Sequence, residues 1–304
     1  MSGTTVSTSD RRFIRSARLG GVVLFSANVA SRGQLRAFDA SIRRAAGARR
    51  IMVAVDQEGG IVRRLSFAAP VESARDAGRR GPRYVRSLMR RAGRDLATVG
   101  ITADFAPVAD IDLPGSFIGS RSYGTTSGAV ARSVVAAVRG LADRGVAATA
   151  KHFPGLGGAA QNTDFTGSVR GRRPSRASLA PFRAAARAGA AMVMVGHAIH
   201  PGVSRGPASL ARATYRLLRG PRVGFGGVAI TDALSAAAIT RYVSQPRAAV
   251  AAIRAGADMV IALGSRAEVR SVVGAIAAAV RSGRIPYGRY ISAQRRVARL
   301  LAGM

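Results

Sequence analysis

Ala147-Ala148-Thr149-Ala150-Lys151-His152-Phe153-Pro154-Gly155 is a short run of small and apolar residues that ends in two chemically active side chains. Ala147 to His152 has the length of a strand, and Pro154-Gly155 supplies the turn after it. Helix-like stretches flank it, Gly128 to Asp143 before and Ser178 to Ala188 after. A strand enclosed by helices is the unit of a parallel α/β sheet covered on both faces.

The same unit recurs along the chain. Six further runs read as buried strands: Gly21 to Phe25, Ile51 to Asp56, Ala103 to Pro107, Ala191 to His197, Gly227 to Asp232 and Asp258 to Leu263. Helical periodicity marks Gln34 to Ala46, where Leu35, Phe38 and Ile42 share a face. It continues in Arg83 to Val99, Ala233 to Arg254, Ala267 to Arg281 and a last stretch near Tyr290 to Leu301. Eight strands close a barrel of this kind. The eighth should precede Gly21, but residues 1–18 offer only polar turn residues and one helix-like segment, Asp10 to Ala17. The expectation is a TIM-type (β/α)8 barrel, one domain over residues 1–304, with its first strand missing or degenerate in this chain.

Composition narrows the partners. The chain carries 47 Lys and Arg against 15 Asp and Glu, a formal net charge of +32, and Lys151 is its one lysine. The arginines are scattered along helix-like segments rather than blocked into a tail. Aromatics make up 5% with no Trp, which leaves few stacking platforms for bases. No specific nucleic-acid partner is expected, although polyanions will be attracted loosely. Cysteine is absent, so disulfides and thiolate metal sites are unavailable. No apolar run reaches membrane-spanning length, and the start lacks the pattern of a secretory signal. The chain as given is expected in the cytoplasm, and exported if the true start lies upstream. The oligomeric state is left open.

Polar groups gather at the strand ends, where α/β barrels place their chemistry. They are Asp56-Gln57-Glu58-Gly59-Gly60 with Arg63-Arg64, Asp110 and Asp112 leading to Arg121, Lys151-His152, His197, and Thr231-Asp232. Carboxylates accept the hydroxyls of a neutral sugar, and Lys and Arg donate to them. Glycoside hydrolysis adds a carboxylate at the anomeric carbon and a proton donor for the leaving oxygen. Asp232 fits the first role, or equally an N-cap for a helix starting near Leu234.

Lys151-His152-Phe153-Pro154-Gly155, Asp56-Gln57-Glu58-Gly59-Gly60 and Ile230-Thr231-Asp232-Ala233-Leu234 together resemble glycoside hydrolase family 3, in its single-domain β-N-acetylglucosaminidase branch. Gly20-Gly21-Val22-Val23-Leu24-Phe25, Pro207-Ala208-Ser209-Leu210 and Arg295-Arg296-Val297 extend the likeness from about Leu19 to Leu301. The resemblance implies a retaining enzyme that needs no metal or organic cofactor and cleaves terminal β-N-acetylglucosaminides, such as cell-wall fragments, through a glycosyl-enzyme on Asp232. It further implies that Asp56, Arg64, Arg121, Lys151 and His152 bind the sugar. His197 either touches the sugar or supports a residue that does. Glu58 is read as bracing the glycine turn, Asp110 as anchoring backbone, and His200 as structural.

One loop departs from that branch, which runs His-Phe-Pro-Gly-His-Gly and then Asp-Ser-His. Here Leu156 replaces the loop histidine, Asn162 the aspartate and Asp164 the catalytic histidine. Asp164 is then the candidate acid/base, since a carboxyl of raised pKa does this work in most glycosidases. The alternatives are a β-glucosidase-like exo-glycosidase and a catalytically weak glycan-binding homologue.

Overall fold

The computed structural model describes residues 3–304. Its strands are β1 (Gly21–Leu24), β2 (Met52–Val55), β3 (Gln57–Gly59), β4 (Val62–Arg63), β5 (Ala103–Asp104), β6 (Ala147–Phe153), β7 (Met192–Val195), β8 (Val228–Ala233) and β9 (Met259–Ile261). Between them run α1 (Thr8–Ala17), α2 (Arg32–Ala46), α3 (Ala74–Arg79), α4 (Pro82–Ala97), α5 (Ser127–Ala142) and α6 (Arg176–Arg187). They continue as α7 (Arg212–Arg219), α8 (Ala237–Thr240), α9 (Gln245–Ala255), α10 (Arg266–Arg281) and α11 (Tyr287–Ala302).

Among the described residues, seven strands form one parallel sheet in the order β1-β2-β5-β6-β7-β8-β9. The sheet curls as a TIM-type barrel does, with its end strands β1 and β9 unbonded to each other. An eighth strand is not found among the described residues, and the open position lies where the sequence places it, ahead of β1. The chain before β1 instead forms α1, fixed at its start by a reciprocal cap. Asp10 N donates to Ser7 Oγ at 3.0 Å, and Ser7 N donates to Asp10 Oδ2 at 3.1 Å.

Both faces of the strands are apolar, as a covered parallel sheet requires. Met52, Ala54, Ala103, Phe105, Met192, Met194, Val228 and Ile230 meet in one cluster on the barrel axis. Their alternates Val53, Val55, Val193 and Val195 join the helices in the larger core. The side chain at each strand's C-terminal end is therefore carried to a common rim.

Three local differences from the sequence reading have physical causes. The third sheet strand, read as Ala103 to Pro107, is regular only over Ala103–Asp104; pairing continues irregularly to Pro107, which accepts from Lys151 N at 3.1 Å but has no N–H to give in return. The stretch Ala233 to Arg254 divides into α8 and α9, because Pro246 opens a new helix rather than continuing one. The residues after β2 fold into the hairpin β3–β4, whose three and two residues are too short to show periodicity.

Phe153, just past the Lys151-His152 pair, packs edge to face on Phe182 of α6 at 5.2 Å between ring centres. Both rings are fully buried. Phe182→Ala is expected to cost about 3–5 kcal/mol, read as a shifted denaturant midpoint with an unchanged slope.

Candidate active site

Lys151 is 2% exposed, a costly place for an ammonium unless it is paired. Its Nζ lies 2.5 Å from Asp56 Oδ1 and 2.6 Å from Glu58 Oε1. Burial alone would lower its pKa, but the two carboxylates reverse that and raise it, so the cation persists. Glu58 also takes both arms of Arg121, with Nε and Nη2 each at 2.8 Å. Burial works against Glu58 as an anion, yet Lys151 and Arg121 hold its pKa at about 2. Glu58 thus joins β6 to the loop carrying Arg121, a larger part than bracing its own turn.

Further contacts fix that loop. Asp112 pairs with Arg75 and accepts from Gly119 N at 3.2 Å, while Arg75 donates to Gly119 O at 2.9 Å. The turn Gly119–Arg121 is held from both sides. The Arg121 Nη2 then reaches within 3.4 Å of His152 Nε2.

His152 is oriented by Asp110, whose Oδ2 lies 2.7 Å from His152 Nδ1. The same carboxylate accepts from Leu156 N at 2.7 Å, so Asp110 ties the imidazole to the start of the following loop. That loop packs closely: a Cβ on Gly157 would run into the Ile111 carbonyl, and Leu113 N donates to Gly157 O at 2.9 Å.

Arg64 stands on the other side of Asp56, 4.0 Å from Nη2 to Oδ2, with its guanidinium 5.8 Å over the Phe25 ring. Gln57 sets its backbone: Oε1 accepts from Arg64 N and Leu65 N at 3.0 Å each, and Nε2 donates to Leu65 O at 3.1 Å. Gln57 N in turn donates to Asp104 Oδ1 at 2.9 Å. Asp104 is fully buried, which pushes its carboxyl well above the usual range, and its Oδ2 has no hydrogen-bond partner among the described residues.

Asp232 stands one residue before the end of β8 and is not a helix cap, since α8 begins five residues later behind Ala236. Its Oδ1 accepts from Ala233 N at 2.8 Å. Burial opposes its ionisation, but His197, His152 and Lys151 outweigh that and hold its pKa below the ordinary value. His197 has both ring nitrogens engaged, Nε2 with Ala233 O at 2.9 Å and Nδ1 with Ser209 Oγ at 2.7 Å. A carbonyl can only accept, so Nε2 carries the proton and Ser209 donates to Nδ1. Burial keeps this imidazole below its usual pKa and therefore neutral near pH 7.

Asp164 lies in a turn hung from α8. Ala237 N donates to Asp164 O and Ala238 N to Thr163 O, each at 3.1 Å, and Asp164 N donates to Asn162 Oδ1 at 2.9 Å. Solvent reaches the residue, yet burial of the carboxyl is the largest influence on it and raises its pKa. The negative Asp232 raises it further. Two carboxyls close enough to feel one another are thus pushed in opposite directions.

The structure brings Asp56, Arg64, Arg121, Lys151, His152, Asp232, His197 and Asp164 to one rim. The sequence reading did not single out Gln57, Asp104 or Ser209 as parts of it. Gln57 lies inside a quoted motif, but nothing local shows that its amide spans the Leu65–Ala69 backbone. His200 is buried and donates to, or accepts from, nothing at the rim; its Nδ1 meets Arg172 O at 2.8 Å. Among the described residues, no group of three or more His, Cys, Asp or Glu is arranged to hold a metal ion.

Residues 2–300 match the model of the glycosyl hydrolase family 3 N terminal domain. The chain belongs to glycosyl hydrolase family 3. It is 34% identical over 273 residues to a β-hexosaminidase of Stenotrophomonas maltophilia, covering 86% of this chain and 81% of that one. A β-hexosaminidase of Xanthomonas euvesicatoria is 37% identical over 257 residues, covering 78% and 74%. Among solved structures, the family 3 β-N-acetylglucosaminidase of Paenibacillus sp. str. FPU-7 superposes with a TM-score of 0.93 at 33% identity. That match covers all of this chain and 60% of the Paenibacillus one. The β-N-acetylhexosaminidase of Beutenbergia cavernae gives 0.91 at 29% identity, covering 99% and 95%.

Glu58→Gln is expected to destabilise the fold by about 3–5 kcal/mol, because it removes the charge shared by Lys151 and Arg121. The pH dependence gives a second check. With the folded pKa at about 2 against an ordinary 4.5, the stabilisation from Glu58 is complete above pH 4.5 and is lost as pH falls toward 2. Urea titrations at pH 3 and pH 6 should show the gap between wild type and Glu58→Gln narrowing at the lower pH.

Proposed function

We propose that this chain is a retaining β-N-acetylhexosaminidase that removes terminal β-N-acetylglucosamine, with cell-wall fragments as its substrates. Family membership and the β-hexosaminidase relatives support the reaction class. The opposed environments of Asp232 and Asp164 are the single observation that carries the mechanism.

In the first step, an oxygen of ionised Asp232 bonds to the anomeric carbon as the bond to the leaving oxygen breaks. The Asp164 proton passes to that oxygen, and the aglycone departs as an alcohol. Water then attacks the anomeric carbon from the vacated side and gives its proton to Asp164. The sugar leaves and Asp232 is restored as a carboxylate, with net retention.

The remaining rim residues hold the sugar. Lys151 has three N–H donors, two directed at Asp56 and Glu58, so one is left for a sugar hydroxyl. Asp56 accepts a hydroxyl, as does His152 through Nε2, while Arg64 and Arg121 donate. His197 acts through Ala233: it holds the backbone on which Asp232 is mounted.

Asp232→Ala is expected to abolish release of nitrophenol from an aryl β-N-acetylglucosaminide, and an aryl β-glucoside run alongside ranks the sugars. Persisting turnover in that variant would remove the nucleophile assignment. Asp164→Asn is expected to lose about 10²–10⁴-fold in kcat/KM on a disaccharide but far less on an activated aryl glycoside.

The pH profile follows from the two shifts. Asp232 must be ionised and its pKa is lowered, so the acid limb falls below the ordinary aspartate range. Asp164 must be protonated and its pKa is raised, so the alkaline limb lies above that range. Asp164→Asn should erase the alkaline limb and leave the acid limb, measured as kcat/KM against pH on the disaccharide, whose poor leaving group needs the acid.

A further inference from the structure

Among the described residues, Phe165 is the most exposed of the large apolar side chains, at 84%. A single exposed apolar residue is common on a protein surface and by itself means little. The place of this one decides its meaning. It follows Asp164 directly, on the turn that carries the acid. That turn is held on several sides. Phe165 N and Thr166 N both donate to Asn162 O, at 3.3 and 3.0 Å, and Ala237 N and Ala238 N of α8 bind the Asp164 and Thr163 carbonyls. The stem of Arg241, just past α8, packs so closely on Gly167 that a Cβ there would run into it. The ring is therefore displayed by a backbone that is tied in place.

The depth of the site gives the ring a side to serve. Lys151, Glu58 and His152 are buried at its floor, Asp232 is half-buried, and Asp164 and Phe165 are exposed at its mouth. A terminal sugar held by Lys151 and Asp56, with its anomeric carbon at Asp232, turns its leaving oxygen toward Asp164, because the acid must reach that oxygen. The group attached to the oxygen then lies beyond Asp164, on the solvent side, where Phe165 stands.

We propose that Phe165 is the platform for the leaving group, and that the leaving group is itself a pyranose sugar stacked on the ring through its C–H face. This rests on the reading of Asp164 as the acid. The face of an aromatic ring is its negative side and attracts C–H groups, and two six-membered rings cover one another where a short alkyl chain does not. The hydroxyls at the sugar's edge stay in water, so an exposed platform does not strip them of hydrogen bonds. One turn thus presents the proton donor and the surface that holds the group receiving the proton. The site selects the ends of oligosaccharides over glycosides of small alcohols.

The chain has no tryptophan, so Phe165→Trp supplies both a larger platform and a single fluorophore. In an Asp232→Ala background, which prevents turnover, N,N′-diacetylchitobiose should change the emission of Phe165→Trp protein, and N-acetylglucosamine, which fills only the inner site, should not. With Asp232 intact, Phe165→Ala should lower kcat/KM on that disaccharide about five- to tenfold relative to methyl β-N-acetylglucosaminide. Phe165→Trp should restore the ratio, whereas Phe165→Leu, apolar but not flat, should not. Because the side chain is exposed, all three variants should melt within about 2 °C of wild type. A ratio unchanged in Phe165→Ala, or restored as well by leucine as by tryptophan, overturns the platform. So does emission that ignores the disaccharide or answers equally to the monosaccharide. Failure of the function reading would show separately, as wild-type protein that hydrolyses neither glycoside; the emission test decides the platform even then.

Discussion

A single ammonium buried at the end of β6 organises the rim. Lys151 is out of water, and only the two carboxylates at 2.5 and 2.6 Å make that position tenable. Those carboxylates come from the end of β2 and the hairpin beside it, so the pair also ties two barrel strands together. Glu58 passes the link on to Arg121, and Arg121 to His152. The chain uses arginine everywhere else. A planar guanidinium is larger and presents a fixed fork, whereas this place requires a compact donor that can divide three N–H bonds among separate acceptors.

Around that centre, the carboxyls of two aspartates are pushed in opposite directions by their surroundings. Asp232 is half-buried, and His197, His152, the Ala233 N–H and Lys151 favour its charge. Asp164 is hung on a turn from α8, where burial and Asp232 disfavour its charge. His197, bonded through both ring nitrogens, also holds the Asp232 segment. The loop between Lys151 and Asp164 is tied down by Asp110 and by the Gly157–Ile111 approach.

Much of this was legible in the sequence. Strand runs ending in charged or polar residues marked the sheet and the rim, and the seven runs correspond to the seven sheet strands among the described residues. The pairings were less visible. Glu58 read as a turn brace, because nothing local shows that Lys151 and Arg121, 93 and 63 residues away, converge on it. Gln57 and Asp104 act through backbone brought near only by the fold. His197 stayed divided between two roles, because hydrogen-bond partners such as Ser209 are set by tertiary contact. The stretch Ala233 to Arg254 read as one helix because its apolar spacing continues across the break that Pro246 enforces.

The account stands most directly on a covalent intermediate at Asp232. Asp164→Asn protein mixed with an activated aryl β-N-acetylglucosaminide should accumulate it, because the first step needs little acid and the second lacks its base. Intact-mass spectrometry should show the protein heavier by one N-acetylglucosaminyl residue, with the label mapping to the peptide that contains Asp232. No adduct while nitrophenol is still released, or an adduct that survives Asp232→Ala, would contradict the account.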